Sequence, residues 1–283
     1  MENPLLIIDS SCICHMQKHA MEELSYDEQA VGVIFGFFRQ LYRLMELRQH
    51  WNVVFVWDSQ KSFRKELFPD YKGNRNHKEK TEYDLAAYSQ FTLLREELLK
   101  VVGFTNNFIQ EGYEADDLIA QLCRQYRENY KVIASTDNDL YQLLDGDTTI
   151  YNLRKKEGYY AADFFEEYEI SPKQWAKVKS IAGCKSDNVP GVPKIGAKTA
   201  CKFLRGELKP STAAFKNITS SEGIKTQERN RILVTLPFPG TKTVKVKKDG
   251  QRSIDGFIRM CQIYGFESFL KDLKKWKERF NLA

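Results

Sequence analysis

Lys131-Val132-Ile133-Ala134-Ser135-Thr136-Asp137-Asn138-Asp139 is the stretch on which the fold turns. Its head is a short run, apolar on both faces and rich in β-branched residues, and it breaks into polar residues within one turn's length. A run too short for a helix and lacking strict alternation is read as a buried parallel strand. Two upstream stretches repeat the pattern. Leu5-Leu6-Ile7-Ile8 ends in Asp9, and Val53-Val54-Phe55-Val56-Trp57 ends in Asp58. Residues 104–109 and 149–153 are further strand candidates. Between these runs lie helical patterns at residues 29–48, 83–101, 115–128 and 139–144. Strands alternating with helices predict a doubly wound α/β sheet with helices on both faces.

Ligands of such sheets bind at the carboxyl ends of the strands. Asp9, Asp58 and Asp137 stand there, with Asp139 two residues further on. Gly112-Tyr113-Glu114-Ala115-Asp116-Asp117 follows the 104–109 candidate and opens a helix. An Asp ending a strand is ordinarily a helix N-cap, and Asp116 or Asp117 could cap the helix carrying Leu118 and Ile119. Capping does not account for Asp9, Asp58, Glu114, Asp116, Asp117, Asp137 and Asp139 converging on one rim. So many like charges would share protons unless cations lie among them. Oxygen donors of this kind suit Mg²⁺ or Mn²⁺, and two such ions about 3.5–4 Å apart can clamp a phosphodiester.

Residues 61–80 interrupt the alternation with seven Lys and Arg against three acids, and with Phe63, Phe68 and Tyr71 interleaved. The segment is too polar for core and too long for an ordinary turn, which predicts a functional loop. Beyond about residue 163 the parallel-strand pattern stops. Ser171-Pro172 reads as a helix start, helical segments broken by Gly and Pro follow, and residues 241–246 are β-like. We therefore place a boundary near 165, with an α/β domain over 1–165 and a mainly helical domain over 166–283. Residues 1–165 hold 19 Lys and Arg against 26 Asp and Glu, and residues 166–283 hold 24 against 12. A basic half of that size suits a polyanion partner.

Composition excludes other classes. Of the 283 residues, 42% are hydrophobic and 29% charged, the balance of a globular chain. The longest apolar runs fall far short of a membrane span. Met1-Glu2-Asn3-Pro4 does not open a secretory leader, so the expected location is cytoplasmic. Cys12, Cys14, Cys123, Cys184, Cys201 and Cys261 form no CxxC pair, which argues against zinc and against a disulfide framework.

Four motifs then carry a family resemblance. Gly112-Tyr113-Glu114-Ala115-Asp116-Asp117 and Ser135-Thr136-Asp137-Asn138-Asp139-Leu140-Tyr141-Gln142-Leu143 resemble the two acidic motifs of the 5′-nuclease (flap endonuclease) superfamily. The run from Phe63 to Arg75 is similar to the basic stretch leading into its helical arch, here at about 61–90. Gly183-Cys184-Lys185-Ser186-Asp187-Asn188-Val189-Pro190-Gly191-Val192-Pro193-Lys194-Ile195-Gly196-Ala197-Lys198-Thr199-Ala200 resembles its helix–three-turn–helix. The motifs keep the family's order over roughly residues 1–205, and size brings the chain nearest to stand-alone bacterial and phage exonucleases and to the nuclease domain of DNA polymerase I.

The resemblance implies a PIN-like sheet and a structure-specific 5′-3′ exonuclease or flap endonuclease using two-metal-ion catalysis. It adds Asp187 to the ligands and assigns Asp58, Glu114, Asp116 and Asp117 to the first ion. Lys72 and Arg75 match the arch cations that contact the scissile phosphate, and Tyr71 matches an aromatic on which a terminal base stacks. Gly191, Val192, Gly196, Lys198 and Thr199 fall in the turn that grips duplex DNA beside a K⁺ or Na⁺ ion. Expected partners are DNA 5′ ends, flaps and nicks, and RNA–DNA hybrids, bound by a monomer. The family places an Asp two residues ahead of Ser186, where this chain has Cys184. That departure predicts a weaker second site, a slower enzyme and a leaning toward Mn²⁺. It also keeps open a junction-binding protein with vestigial cleavage, while a PIN-like ribonuclease would lack the helix–three-turn–helix.

Overall fold

The computed structural model describes residues 4–47, 51–75 and 79–283. The three apolar runs form neighbouring strands of a six-stranded sheet. The strands are β1 (Leu5–Asp9), β2 (Asn52–Trp57), β3 (Asn107–Ile109), β4 (Lys131–Ser135), β5 (Thr148–Asn152) and β6 (Glu157–Tyr159). Their order is β3-β2-β1-β4-β5-β6, parallel throughout except for the antiparallel β6. Ile8 pairs with Phe55 on one side and Ala134 on the other, so β1 is central and buried on both faces. The chain winds outward from β1 through β2 to β3, then crosses back to β4. The direction of winding reverses between β1 and β4, which is where an open α/β sheet forms its crevice.

Alternation along these strands feeds two cores. Leu6, Ile8, Val53, Phe55, Val132 and Ala134 face one, and Leu5, Ile7, Val54, Val56 and Ile133 face the other. Lys131 is fully buried because its ammonium donates to the carbonyls of Tyr126 (3.2 Å), Arg127 (3.3 Å) and Asn129 (2.5 Å), just beyond the helix Ala115–Gln125. A cation there also meets the negative end of the helix dipole.

Several expected elements change. The 104–109 strand shortens to β3, since Phe104 turns into the core after Gly103 caps the preceding helix. Residues 29–30 pair with Ser25–Tyr26 as a two-residue hairpin, and the helix runs Gly32–Leu47; Arg48 lies outside the described residues. The 83–101 pattern is a continuous run of Glu82–Leu93, a π turn at Leu94–Leu98, and Leu99–Val102. Residues 139–144 form a 3₁₀ turn, Asn138–Leu143. Helix Ser10–Ala20 and strand β6 carry no sequence prediction. Residues 241–246 are no strand. Val244 exchanges two bonds with the Gln125 side chain, and Val246 N–H donates to the Tyr126 hydroxyl, so side chains take the place of a ladder.

The boundary near 165 does not separate two cores. Helices Ala161–Tyr168, Trp175–Ala182 and Ala197–Leu204 cover one face of the sheet. Helices Ile254–Ile263, Glu267–Lys271 and Leu273–Phe280 return to the other, where Phe257, Trp276 and Phe280 share a core with Phe37 and Phe55. The arch segment supplies helix Phe63–Leu67, a 3₁₀ turn at Gly73–Arg75 and the helix from Glu82; residues 76–78 lie outside the description.

Candidate active site

Asp9, Asp58, Asp116 and Asp137 line one cleft of about 640 Å³ at the carboxyl end of the sheet, together with His15, Lys72, Arg75 and Arg154. Asp9, Asp58 and Asp137 are each aimed by a local bond. Asp9 does cap a helix, accepting from Cys12 N–H at 3.0 Å, while its other oxygen accepts from Ser135 Oγ at 2.7 Å. Asp58 accepts from Ala115 N–H at 2.8 Å, and its own N–H donates to Ser11 Oγ at 2.9 Å. Asp137 accepts from Asp139 N–H at 2.8 Å. Capping and cleft-lining therefore coexist in the same residues.

The crowding shows in the proton affinities. Burial, with Asp58 and Asp137 as neighbours, pushes the Asp9 carboxyl up to about 7. Burial and the charges of Asp137, Asp9 and Asp58 hold Asp116 well above the carboxylate range. Asp137 rises to about 6 through burial and Asp139. Burial and mutual repulsion together raise these proton affinities, and a cation among the carboxylates would lower them.

Glu114 turns toward the basic segment. Although burial opposes its charge, Lys72 and Arg64 hold its carboxyl below the usual value. Lys72 Nζ lies 2.9 Å from Glu114 and 3.9 Å from Asp187, and Arg75 Nη2 lies 2.7 Å from Asp187. Lys72 sits at φ +54°, pinned there by its N–H donating to Asp187 O at 2.8 Å. Gly112 secures the start of this segment: at φ +85° its Cα faces Phe63, and a Cβ would come within 2.3 Å of that ring. Tyr71, expected as a stacking platform, is 2% exposed here, with its hydroxyl donating to Glu114 at 3.0 Å.

Asp117 is placed apart from the cleft ligands. It is fully buried, and each of its oxygens already has two donors. Arg64 Nη1 and Nη2 approach at 2.6 and 2.7 Å, Phe238 N–H at 2.8 Å and Glu114 N–H at 3.1 Å. No lone pair is left for a cation. Arg64 is one residue that sequence reading missed, because nothing among the seven Lys and Arg of residues 61–80 marks the one that turns inward.

A second group gathers Asp139, Cys184 and Asp187, with one ligand atom from each within 4.8 Å of the others. Lys179 Nζ also enters, 2.5 Å from Asp139 and 2.7 Å from Asn138 Oδ1, a residue that no motif marks. Burial, then Asp139 and Asp187, push the Cys184 thiol up to about 11.

The 183–196 segment joins Trp175–Ala182 to Ala197–Leu204, as a helix–three-turn–helix requires. Gly191 packs on the first helix so closely that a Cβ would lie 2.2 Å from the Ala182 carbonyl carbon. Gly196 is the N-cap of the second helix, with open space around it, and Lys198 is exposed there. Val192 departs from the expected DNA-facing set: its side chain is buried in the core and its N–H donates to Ile181 O at 2.7 Å.

Comparison with known proteins agrees with this geometry. Residues 4–169 match the family model described as the 5′-3′ exonuclease, N-terminal resolvase-like domain. DNA polymerase I of Bacillus caldotenax is 30% identical over 97% of this chain and 33% of its own length. A 5′-3′ exonuclease of Buchnera aphidicola is 29% identical over 72% of this chain and 70% of its own. The chain thus spans about a third of the polymerase relative. Among solved structures, a T5 protein co-crystallised with metal ions superposes with TM-score 0.69 and 25% identity, covering 83% of this chain and 90% of that one. The catalytic core of Rad2 in complex with a DNA substrate shares the fold, with TM-score 0.58 and 15% identity over 93% of this chain and 88% of its own. Family model, relatives and acidic cleft converge, and the chain belongs to the 5′-3′ exonuclease family.

Proposed function

We propose that this chain hydrolyses DNA phosphodiester bonds near 5′ ends and 5′ flaps, dependent on divalent cations. The observation that carries the reading is the convergence of Asp9, Asp58, Asp116 and Asp137 on one cleft, with the proton affinities of Asp9, Asp116 and Asp137 raised by burial and then by neighbouring carboxylates. Four carboxylates gathered in this way offer the oxygen donors that a hard cation takes. Bound Mg²⁺ or Mn²⁺ supplies Lewis acidity and a nucleophilic water there.

The protein's own part is positioning. Ser135 and Ser11 fix Asp9 and Asp58, as described above. Lys72 and Arg75 line the same cleft and present two fixed cations to a phosphate whose charge grows in the transition state. Tyr71 becomes a base platform only when the segment swings away from Glu114. Gly191, Gly196, Lys198 and Thr199 grip duplex backbone through amides and charge, which reads shape and not sequence. A K⁺ or Na⁺ ion at that turn, RNA–DNA hybrids as further substrates, a monomeric state and a cytoplasmic site of action complete the proposal. No helix among the described residues is long and apolar enough to cross a membrane.

The test uses 5′-labelled flap and nicked duplexes, incubated with chelator, Mg²⁺ or Mn²⁺. Cleavage near the 5′ end that needs the metal and disappears in Asp116→Asn supports the proposal. Cleavage that survives the chelator, or tight flap binding with no metal-dependent cutting, overturns it.

A further inference from the structure

Among the described residues, the carboxylates that line the cleft and the neighbouring group of Asp139, Cys184 and Asp187 differ in donor chemistry. Around Asp9, Asp58, Asp116 and Asp137 the chain offers carboxylate oxygen. In the neighbouring group Cys184 replaces oxygen with sulfur, and it is held there firmly. It is 4% exposed and lies on the two-residue strand Gly183–Cys184, paired antiparallel with Val189–Pro190. Its Sγ stands 3.7 Å from Asp139 Oδ2, 3.7 Å from Asp187 Oδ2 and 3.0 Å from Ser186 Oγ. The sulfur therefore sits between the two carboxylates.

Mg²⁺ fits this set poorly. It demands oxygen ligands near an octahedral arrangement and does not bind thiols well. The two carboxylates are also already compensated, Asp139 by Lys179 at 2.5 Å and Asp187 by Arg75 at 2.7 Å. A weakly thiophilic cation must displace those ammonium and guanidinium partners for only two anionic ligands. A borderline cation gains a third. On binding it takes the place of the thiol proton, which passes to solvent as the metal–sulfur bond forms. One thiolate and two carboxylates with a fourth position open is a tetrahedral set of the kind that Zn²⁺ and Co²⁺ adopt.

We propose that Asp139, Cys184 and Asp187 form a thiophilic cation site that selects the Zn²⁺ and Co²⁺ class over Mg²⁺, so that the two metal positions in this protein have different preferences. The inference rests on the metal-dependent reading above and sharpens it: Mg²⁺ fills the group of four carboxylates, and the sulfur group admits a different ion.

The experiment titrates the metal-free full chain with Co²⁺ in the presence of excess Mg²⁺. The signal is the near-ultraviolet thiolate-to-Co²⁺ charge-transfer band, with proton release followed in parallel. One equivalent of Co²⁺ should raise the band and release a proton despite the Mg²⁺. In Cys184→Ser the band should vanish, with Co²⁺ affinity at this site roughly tenfold or more weaker. In Cys184→Asp it should vanish while calorimetry shows a second equivalent of Mg²⁺. Cys12 also lines the cleft, 3.2 Å from Thr136 Oγ1, so Cys12→Ser is the control and must keep the band. No band in the wild-type chain, a band surviving in Cys184→Ser, or a band lost in Cys12→Ser overturns the proposal. Because the signal is binding, a chain that shows the band but cuts no DNA would refute the nuclease reading alone.

Discussion

Asp116 and Asp117 are adjacent, both acidic, and both in the first turn of the same helix, yet neutralising them should move stability in opposite directions. Asp117→Asn acts on a buried ion pair. Arg64 and Asp117 have side chains 2% and 0% exposed, joined by two bonds of 2.6 and 2.7 Å. An asparagine retains one acceptor but turns its NH₂ toward donors, leaving the guanidinium buried and under-compensated. Removing one partner of such a pair costs about 3–5 kcal/mol. At roughly 2–4 °C per kcal/mol for a domain somewhat smaller than this one, Tm should fall by roughly 6–20 °C.

Asp116→Asn acts on the crowded cleft. Burial and three neighbouring carboxylates raise the Asp116 proton affinity, so above the ordinary carboxylate range the metal-free native state holds more protons than the unfolded chain. Its stability then falls as pH rises. Removing that charge should raise the Tm of the metal-free protein, by more at pH 8 than at low pH, while abolishing cleavage. The assay is thermal unfolding in chelator at pH 8, paired with single-turnover cleavage in Mg²⁺ below the Tm of either variant. If both variants shift Tm the same way, or if Asp117→Asn unfolds like the wild type, the division of labour between these carboxylates is wrong.

The same sign reasoning applies to the wild-type chain without metal: its Tm should decline as pH climbs from the ordinary Asp value of 3.8, through about 6 where Asp137 loses its proton, to about 7 where Asp9 does. Saturating Mg²⁺ should flatten that decline, and a scan showing equal slopes with and without metal would contradict it. At the helix proposed to grip duplex backbone, Lys198→Gln should weaken binding to flap and plain duplex alike and reduce the salt-dependence slope by about 1. Filter binding over a salt series measures this, and a loss confined to particular base sequences would rule out a backbone contact.

How much of this could be read in advance follows from the physics of each segment. The central strands were legible because β1, β2 and β4 are buried on both faces, which leaves an apolar run without alternation, and each run ends near an Asp. Helix Ser10–Ala20 was not, because its buried residues include Ser10, Ser11, Gln17 and Lys18, which write no amphipathic stripe. The return of Trp276 and Phe280 to the first core was equally hidden, since a helix's apolar face does not name its partner. Seven carboxylates could be counted from spacing, but their division could not. Successive residues on a helix point about 100° apart, so of Asp116 and Asp117 only one can face the strand ends. Residues three apart share a face, which groups Asp117 with Glu114, the position whose N–H it accepts at 3.1 Å. The direction in which that face turns is set by Arg64, a residue 53 positions away that reaches Asp117 and the Leu233 carbonyl together. A long-range buried cation thus decides which member of an acidic pair meets the cleft, and a linear motif carries no record of it.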